Sequence, residues 1–172
     1  MQDGQKPADA RTRRVSKVPN SNVLSLVSGL FFQAHIAELQ LNFTGPRKDP
    51  TLQWVAGPAL GRSFIQGPGL EKGQLLIHRD GIYRLHIQVT LANCSSECST
   101  TLHRATLTVG ICSPSGHSIS LLRRSFGQDC TMALQRLTRL AHGDVLCANL
   151  TLPLLPSRNA DETFFGIQWV YP

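Results

Sequence analysis

The residues that could carry out catalysis form no recognisable catalytic or metal-binding motif. No histidine stands in H-E-x-x-H spacing, no G-x-S-x-G elbow is present, and Gly61-Arg62-Ser63-Phe64 lacks the Gly-Lys-Ser/Thr ending of a phosphate loop. The adjacent carboxylates Asp161 and Glu162 stand in a polar loop, where exposed acidic residues are ordinary. We therefore expect no enzyme activity, no metal site and no cofactor. The histidines considered are His35, His78, His86, His103, His117 and His142.

The cysteines favour disulfides over a metal site or redox catalysis. Zinc is usually held by closely spaced pairs of cysteines, and the one close pair here, Cys94 and Cys98, has no second pair to complete a site. The remaining cysteines, Cys112, Cys130 and Cys147, are widely separated, as in proteins whose disulfides join distant strands. Spacing alone leaves the pairing open.

Three N-glycosylation sequons point to the same compartment as the cysteines. They begin at Asn42, Asn93 and Asn149, and each has a hydroxyl residue two positions later. Sequons and a disulfide-like cysteine pattern are independent signals, and together they predict a secretory route and an extracellular protein.

The positive charge does not predict a nucleic-acid-binding surface. The net charge is +6, and residues 1–17 hold five basic residues against two acidic ones. A nucleic-acid-binding protein would cluster its basic residues on one face. Here they are mostly isolated along the rest of the sequence, apart from Arg47-Lys48 and Arg123-Arg124.

The amino-terminal segment differs in amino-acid composition from the rest of the chain. Residues 1–22 are polar and basic, which predicts disorder. Val23–Phe32 is apolar but shorter than the roughly 20 residues of a membrane-spanning helix. The order of basic then apolar residues resembles a signal peptide. The cleavage site is poor, however, because a motif ending at Ala34 requires a small residue two positions earlier, where Phe32 stands. We expect a disordered extension over residues 1–35 and one domain over residues 36–172.

From residue 36 onward, short runs of β-branched and aromatic residues alternate with turn residues. Asp80-Gly81 predicts a hairpin turn, and Gly143-Asp144 predicts a turn between two later strands. Thr131–Leu140 could also be read as a helix. About nine or ten short strands with turns between them predict an all-β sandwich or jelly roll. The predicted strands are Ile36–Asn42, Leu52–Val55, Gln74–His78, Ile82–Leu91, Ala105–Cys112, His117–Leu122, Thr131–Leu140, Val145–Leu152 and Thr163–Tyr171.

The last predicted strand is apolar on both faces. Phe165 and Ile167 fall on one side, and Phe164 and Val170 on the other. A strand with one face in water would be polar on that face. The pattern therefore indicates that a second chain covers the outer face, with shielding by the protein's own loops as the alternative.

Four segments in order resemble the tumour necrosis factor ligand family. They are Ala37-Glu38-Leu39-Gln40-Leu41-Asn42, Gly81-Ile82-Tyr83-Arg84-Leu85-His86-Ile87-Gln88-Val89, Leu140-Ala141-His142-Gly143-Asp144 and Phe164-Phe165-Gly166-Ile167. Each segment is weak alone, and the ordered set is specific. The resemblance covers about residues 36–172.

The resemblance implies a two-sheet antiparallel jelly roll that assembles as a homotrimer, with His86, Gln88, Phe164 and Gln168 in the trimer interface. It implies a cytokine that clusters a cysteine-rich receptor, CD-twenty-seven-like, in T- and B-cell co-stimulation. Receptor contacts would come from loops containing Arg47, Lys48, Trp54, Ser113, Pro114 and His117.

The resemblance also implies the disulfides Cys94–Cys130 and Cys112–Cys147, which leaves Cys98 over. Family members are usually type II plasma-membrane proteins, and no spanning helix is evident here, so we expect a soluble or truncated form. The competing hypothesis is a jelly-roll lectin or complement-like globular head. That class would favour a Gly-X-Y stalk or clustered carboxylates for calcium, and neither is present.

Overall fold

The computed structural model describes residues 34–43, 47–57, 61–94, 105–112 and 118–172. These residues belong to one compact unit, Gln33–Pro172, and no helix among them is long and apolar enough to span a bilayer. The predicted amino-terminal disorder lies almost wholly outside the described residues. The strands are β1 (Ile36–Leu41), β2 (Thr51–Leu52), β3 (Trp54–Val55), β4 (Phe64–Gln66), β5 (Gly69–Glu71), β6 (Gln74–Leu76), β7 (Gly81–Thr90), β8 (Thr106–Cys112), β9 (Ser118–Ser125), β10 (Thr131–Leu140), β11 (Val145–Leu150) and β12 (Phe164–Tyr171).

The strands form two sheets, and every described pairing is antiparallel. The first sheet has the order β10-β7-β12-β1-β3, with β4 also pairing with β1. The second has the order β5-β6-β11-β8-β9, with β2 pairing with β11. The predicted two-sheet antiparallel fold is therefore confirmed, and β12 lies in the middle of the first sheet.

The core lies between the sheets and follows from strict alternation along the strands. On β7 the side chains of Leu85 and Ile87 are buried, because successive residues of a strand point to opposite faces. Leu107 and Leu146 of the second sheet are fully buried members of the same core. Burying side chains of this size contributes about 1.5–3 kcal/mol each.

The segment that could be read as a helix is the strand β10. It pairs with β7 along its whole length, from Thr131 opposite Thr90 to Leu140 opposite Gly81. The helical appearance came from Leu137, which is spaced three residues from Leu134 and Leu140 but is 56% exposed on the opposite face.

The predicted hairpin at Asp80-Gly81 is wrong, because the strands on either side belong to different sheets. β6 pairs with β5 and β11, whereas β7 pairs with β10 and β12. Gly81 has φ 149°, and a Cβ there would lie 2.3 Å from Nε1 of Trp169. The indole N–H of Trp169 donates to the carbonyl of Asp80 at 3.3 Å. Residue 81 is therefore a glycine because the indole of Trp169 packs too close to its backbone to leave room for a Cβ.

Two disulfides link neighbouring segments of the sandwich. Cys94–Cys130 joins the chain after β7 to the chain before β10, with a Cα–Cα distance of 5.7 Å. Cys112–Cys147 joins β8 to β11 at 6.0 Å. This is the pairing that the family resemblance implies, and Cys98 lies outside the described residues.

Candidate subunit and receptor interfaces

The four residues expected in a trimer interface lie on one face of the first sheet. Phe164 of β12 is opposite Gln88 of β7, and Gln168 is opposite Arg84, two residues before His86. Directly opposite residues of an antiparallel pair share a face. We call this face, which points away from the core, the outer face. The structure thus brings these four residues together.

The outer face carries apolar side chains that the described residues leave in solvent. Leu137, opposite Arg84, is 56% exposed, and Phe64, opposite Glu38, is 45% exposed. Phe164 is half-buried, with its ring 6.2 Å from the ring of His86. The face therefore combines exposed apolar groups with polar ones, as the core and rim of a protein interface do.

A side-chain pair crosses the middle strand of the outer face. Nε2 of His86 lies 2.7 Å from Oε2 of Glu38, although β7 and β1 are separated by β12. The pair passes over Gly166, where a Cβ would lie 2.3 Å from His86 Nε2 and 2.4 Å from Glu38 Oε2. Gly166 is opposite both residues in the sheet. The glycine of the Phe-Phe-Gly segment therefore makes room for this contact.

Sequence reasoning found His86 but missed Glu38 and Gly166 as members of this face. The available signal was the alternation of Glu38 with the buried residues Ala37 and Leu39. Gln88 also acts within its own chain, since its amide donates to the carbonyl oxygens of Asp161 and Glu162 at 3.1 and 3.3 Å. These bonds fix the loop that leads into β12.

Trp54 is corrected from a receptor contact to a core residue. It is 1% exposed, and its ring centroid lies 5.5 Å from that of Phe165. β3 turns this side chain inward, so the indole is inaccessible to a partner. Ser113, Pro114 and His117 lie outside the described residues.

Arg47 is held by its own chain. Its guanidinium donates to the carbonyl oxygens of Pro50 at 2.8 Å and Leu150 at 2.5 Å, and also to that of Leu154. Burial lowers the pKa of Arg47 from its ordinary value, and Asp49 partly opposes that shift. These contacts tie the 47–50 segment to the chain around the end of β11, which indicates a structural role for Arg47.

Lys48 remains exposed beside an open cleft. The cleft has a volume of about 260 Å³, and Phe43, Lys48, Asp49, Gln53 and Pro156 are among its lining residues. At Phe43, the guanidinium of Arg158 stacks 3.7 Å from the ring centroid. The cleft is a concave surface with charged and aromatic groups that a protein partner could contact.

The sequons occupy positions away from the centre of the outer face. Asn149 lies on β11 in the second sheet, and Asn42 and Asn93 follow the ends of β1 and β7. Asn93 is exposed with φ 53°. The hydroxyl of Thr151, in the third sequon, donates to the carbonyl of Thr106 at 3.2 Å.

Comparison with known proteins identifies the class that this fold and face define. Residues 52–170 match the model of the TNF (Tumour Necrosis Factor) family. The chain belongs to this family, which makes it a signalling ligand rather than an enzyme.

Three curated relatives have the same name, CD70 antigen. The chain is 77% identical to the mouse protein over 140 residues, which covers 81% of this chain and 72% of the relative. It is 69% identical to the human protein over 137 residues, covering 80% and 71% of the two chains. It is 68% identical to the pig protein over 138 residues, covering 80% and 73%. Ligands of this family are extracellular or membrane-bound.

Proposed function

We propose that this chain is a homotrimeric cytokine that binds and clusters a cysteine-rich receptor, CD-twenty-seven-like, and so delivers T- and B-cell co-stimulation. The observation that carries the proposal is the outer face of the first sheet, which carries the exposed apolar side chains of Leu137 and Phe64 as well as the His86–Glu38 pair. Family membership supports the same conclusion.

The chemistry of the outer face favours contact with further copies of the chain. Monomeric soluble proteins rarely leave large contiguous apolar patches in water. Leu137 and Phe64 are exposed on this face, and half-buried Phe164 lies between the strands that hold them. A patch that meets a different patch on the next copy closes a ring when the rotation allows it. Three copies around one axis would remove the face from solvent.

The sequons are compatible with this assembly. Glycans at Asn149, on the second sheet, would point away from a buried outer face. Glycans at Asn42 and Asn93 would project beyond the ends of β1 and β7. We therefore propose that all three sites accept glycans without blocking subunit contact.

We assign receptor contact to the cleft beside Lys48. Lys48 is exposed there, and the cleft is bounded by the aromatic ring of Phe43. Arg47 holds the 47–50 segment in place rather than contacting the receptor, because its guanidinium already donates to three backbone carbonyls. Ser113, Pro114 and His117 remain predicted contacts.

The test combines molar mass with a matched pair of variants. The full chain is produced in mammalian cells behind an added secretion signal and measured by size-exclusion chromatography with light scattering. Leu137→Glu places a charge on the outer face, and Ile119→Glu places one on β9, where the side chain is 63% exposed. We expect a trimer for the unmodified chain and Ile119→Glu, and a monomer for Leu137→Glu.

Receptor capture is measured on the same samples. We expect the trimeric samples to bind an immobilised CD-twenty-seven-like receptor and the monomeric variant to lose avidity. A stable monomer for the unmodified chain would overturn the proposal, as would a trimer that fails to bind the receptor.

A further inference from the structure

The third sequon, Asn149-Leu150-Thr151, is built into the second sheet. Asn149 belongs to β11 and is directly opposite Thr108 of β8 and Thr51 of β2, so the strand has neighbours on both sides. Leu150, the middle residue of the sequon, is fully buried in the core. The sequon therefore cannot be lifted from the folded domain without unpairing β11 and exposing Leu150.

The folded chain also uses the polar groups that define this sequon. The hydroxyl of Thr151 accepts from the backbone N–H of Thr106 at 2.9 Å and donates to the carbonyl of the same residue at 3.2 Å. The side-chain amide oxygen of Asn149 is buried and has no hydrogen-bond partner among the described residues. Glycan transfer requires the asparagine and the hydroxyl residue of a sequon together. Folding withholds both groups from the transferring enzyme.

Opening of a central strand does not restore access to the sequon. Strands in the core of a domain open only at a cost close to the free energy of global unfolding, whereas chain ends and loops open easily. A glycan must therefore reach Asn149 before β11 has paired with β8 and β2.

A disulfide fixes β11 in this position. Cys147 is two residues before Asn149, on the same face of the strand, and it is bonded to Cys112 of β8 with a Cα–Cα distance of 6.0 Å. β2 and β8 both precede β11 in the chain. When Asn149 enters the secretory compartment, the strands and the cysteine that lock it are therefore already there.

The other two sequons are under no such pressure during synthesis. Asn42 follows β1, and all the strands that pair with β1 come later in the chain. Asn93 follows β7, whose partners β10 and β12 also come later. The bridge beside it, Cys94–Cys130, spans 36 residues. Synthesis of that length takes roughly 2–7 s at about 5–20 residues per second, so the site stays open for that time.

We propose that glycan transfer to Asn149 competes with closure of the Cys112–Cys147 disulfide, so that the order of these two reactions decides whether the site is occupied. The inference rests on the proposal that the sequons accept glycans. A chain that closes the bridge first keeps an unmodified Asn149, and a chain that is glycosylated first folds with the glycan on the surface of the second sheet.

Both competing reactions are ordinary secretory chemistry. In transfer, Nδ2 of Asn149 forms a bond to the anomeric carbon of a lipid-pyrophosphate-linked oligosaccharide. The bond from that carbon to the pyrophosphate breaks, the lipid pyrophosphate leaves, and the amide loses one proton. In closure, the thiols of Cys112 and Cys147 form a disulfide and pass two electrons and two protons to the disulfide of an exchange partner, which becomes a dithiol.

The test measures occupancy at each sequon of the full chain, made in mammalian cells behind an added secretion signal. Glycans are released enzymatically in heavy-oxygen water, which marks each formerly glycosylated asparagine for peptide mass spectrometry. Cys112→Ala with Cys147→Ala removes the bridge on β11. Cys94→Ala with Cys130→Ala removes the other bridge, of nearly equal span, as the matched control. Total cellular chain is analysed, so a variant that fails to fold or to leave the cell still reports its occupancy.

We expect partial occupancy at Asn149 and nearly complete occupancy at Asn42 in the unmodified chain. Removal of the Cys112–Cys147 bridge should lower the unoccupied fraction at Asn149 about twofold or more, and dithiothreitol added during synthesis should do the same. The control variant should leave Asn149 occupancy at the level of the unmodified chain.

The inference is overturned by complete occupancy of Asn149 in the unmodified chain, by equal gains in the two cysteine variants, or by an equal deficit at Asn42. Absence of glycan from all three sequons would refute both this inference and the proposed glycosylation. Light scattering on the same samples separates the inference from the proposed trimer. A monomeric chain with the expected occupancy pattern would refute the trimer alone.

Discussion

Nε2 of His86 and Oε2 of Glu38 are 2.7 Å apart across an intervening strand. Strand neighbours lie about 4.7–4.9 Å apart, so residues two strands apart meet only if the middle position has no side chain. Gly166 provides that position, since a Cβ there would collide with both partners. The pair and the glycine thus form one unit that joins β1, β12 and β7.

Gly166→Ala is expected to separate His86 from Glu38 rather than to displace the backbone. The atoms that a Cβ would meet are the tips of two side chains, which can rotate away at the cost of their contact. We expect a loss of about 1 kcal/mol in the free energy of unfolding. In a Glu38→Gln, His86→Gln background the same change should cost less, as measured by a double-mutant cycle in urea. Additive costs would contradict this account.

Arg47→Ala is expected to destabilise the domain by about 2–3 kcal/mol, because it removes a charged donor from the carbonyls of Pro50, Leu150 and Leu154. Arg47→Lys should recover only part of this, since an ammonium cannot reproduce the planar fork. Thermal unfolding measures both, with Lys48→Ala as the exposed control. Equal effects of the Arg47 and Lys48 changes to alanine would refute the structural role.

The two disulfides should contribute similarly to stability, because they span similar lengths of chain, with sequence separations of 36 and 35. Loop closure of this size corresponds to about 3–4 kcal/mol. Replacing Cys112 and Cys147 with alanine should therefore lower the melting temperature strongly, whereas Cys98→Ser should not. Equal melting temperatures for the two variants would contradict the pairing.

His35 should make the domain less stable in acid. Burial lowers the pKa of His35 below 6.5, and Arg79 and His78 add to that shift. Between pH 6.5 and the lowered pKa, the unfolded chain binds a proton that the folded chain does not. The free energy of unfolding therefore loses nothing to His35 above pH 6.5. It falls as the solution is acidified from pH 6.5 towards the lowered pKa.

Urea unfolding from pH 7.5 to 5 would measure this dependence. His35→Leu should flatten the profile, and His142→Gln, at an exposed site, is the control variant. A profile for His35→Leu that is as steep as that of the unmodified chain would assign the effect to other groups.

The alternation of the sequence was sufficient to predict β1, β7 and β12, because each buries one face against the core. It could not assign strands to sheets. Asp80-Gly81 looks like a hairpin turn, yet the chain there crosses between sheets. β4 and β5 were missed, since three-residue strands are too short to show a period.

The site was predictable only where it follows the same alternation. His86 and Gln88 were placed correctly on one face, whereas Trp54 was misplaced because β3 is two residues long and its inward side cannot be read from pattern. The engagement of Arg47 depends on carbonyls about 100 residues later in the chain, with separations of 103 and 107.

The pairing of β1 with β12 brings the two ends of the described domain together. Ile36 at the start of β1 is opposite Gln168, close to the end of β12, and the N–H of Trp169 donates to the carbonyl of His35. A short linker from residue 172 to residue 34 would therefore close the domain into a circle. New termini could then be cut in an exposed loop, giving a circular permutant whose fusion partners leave from a different pole of the molecule.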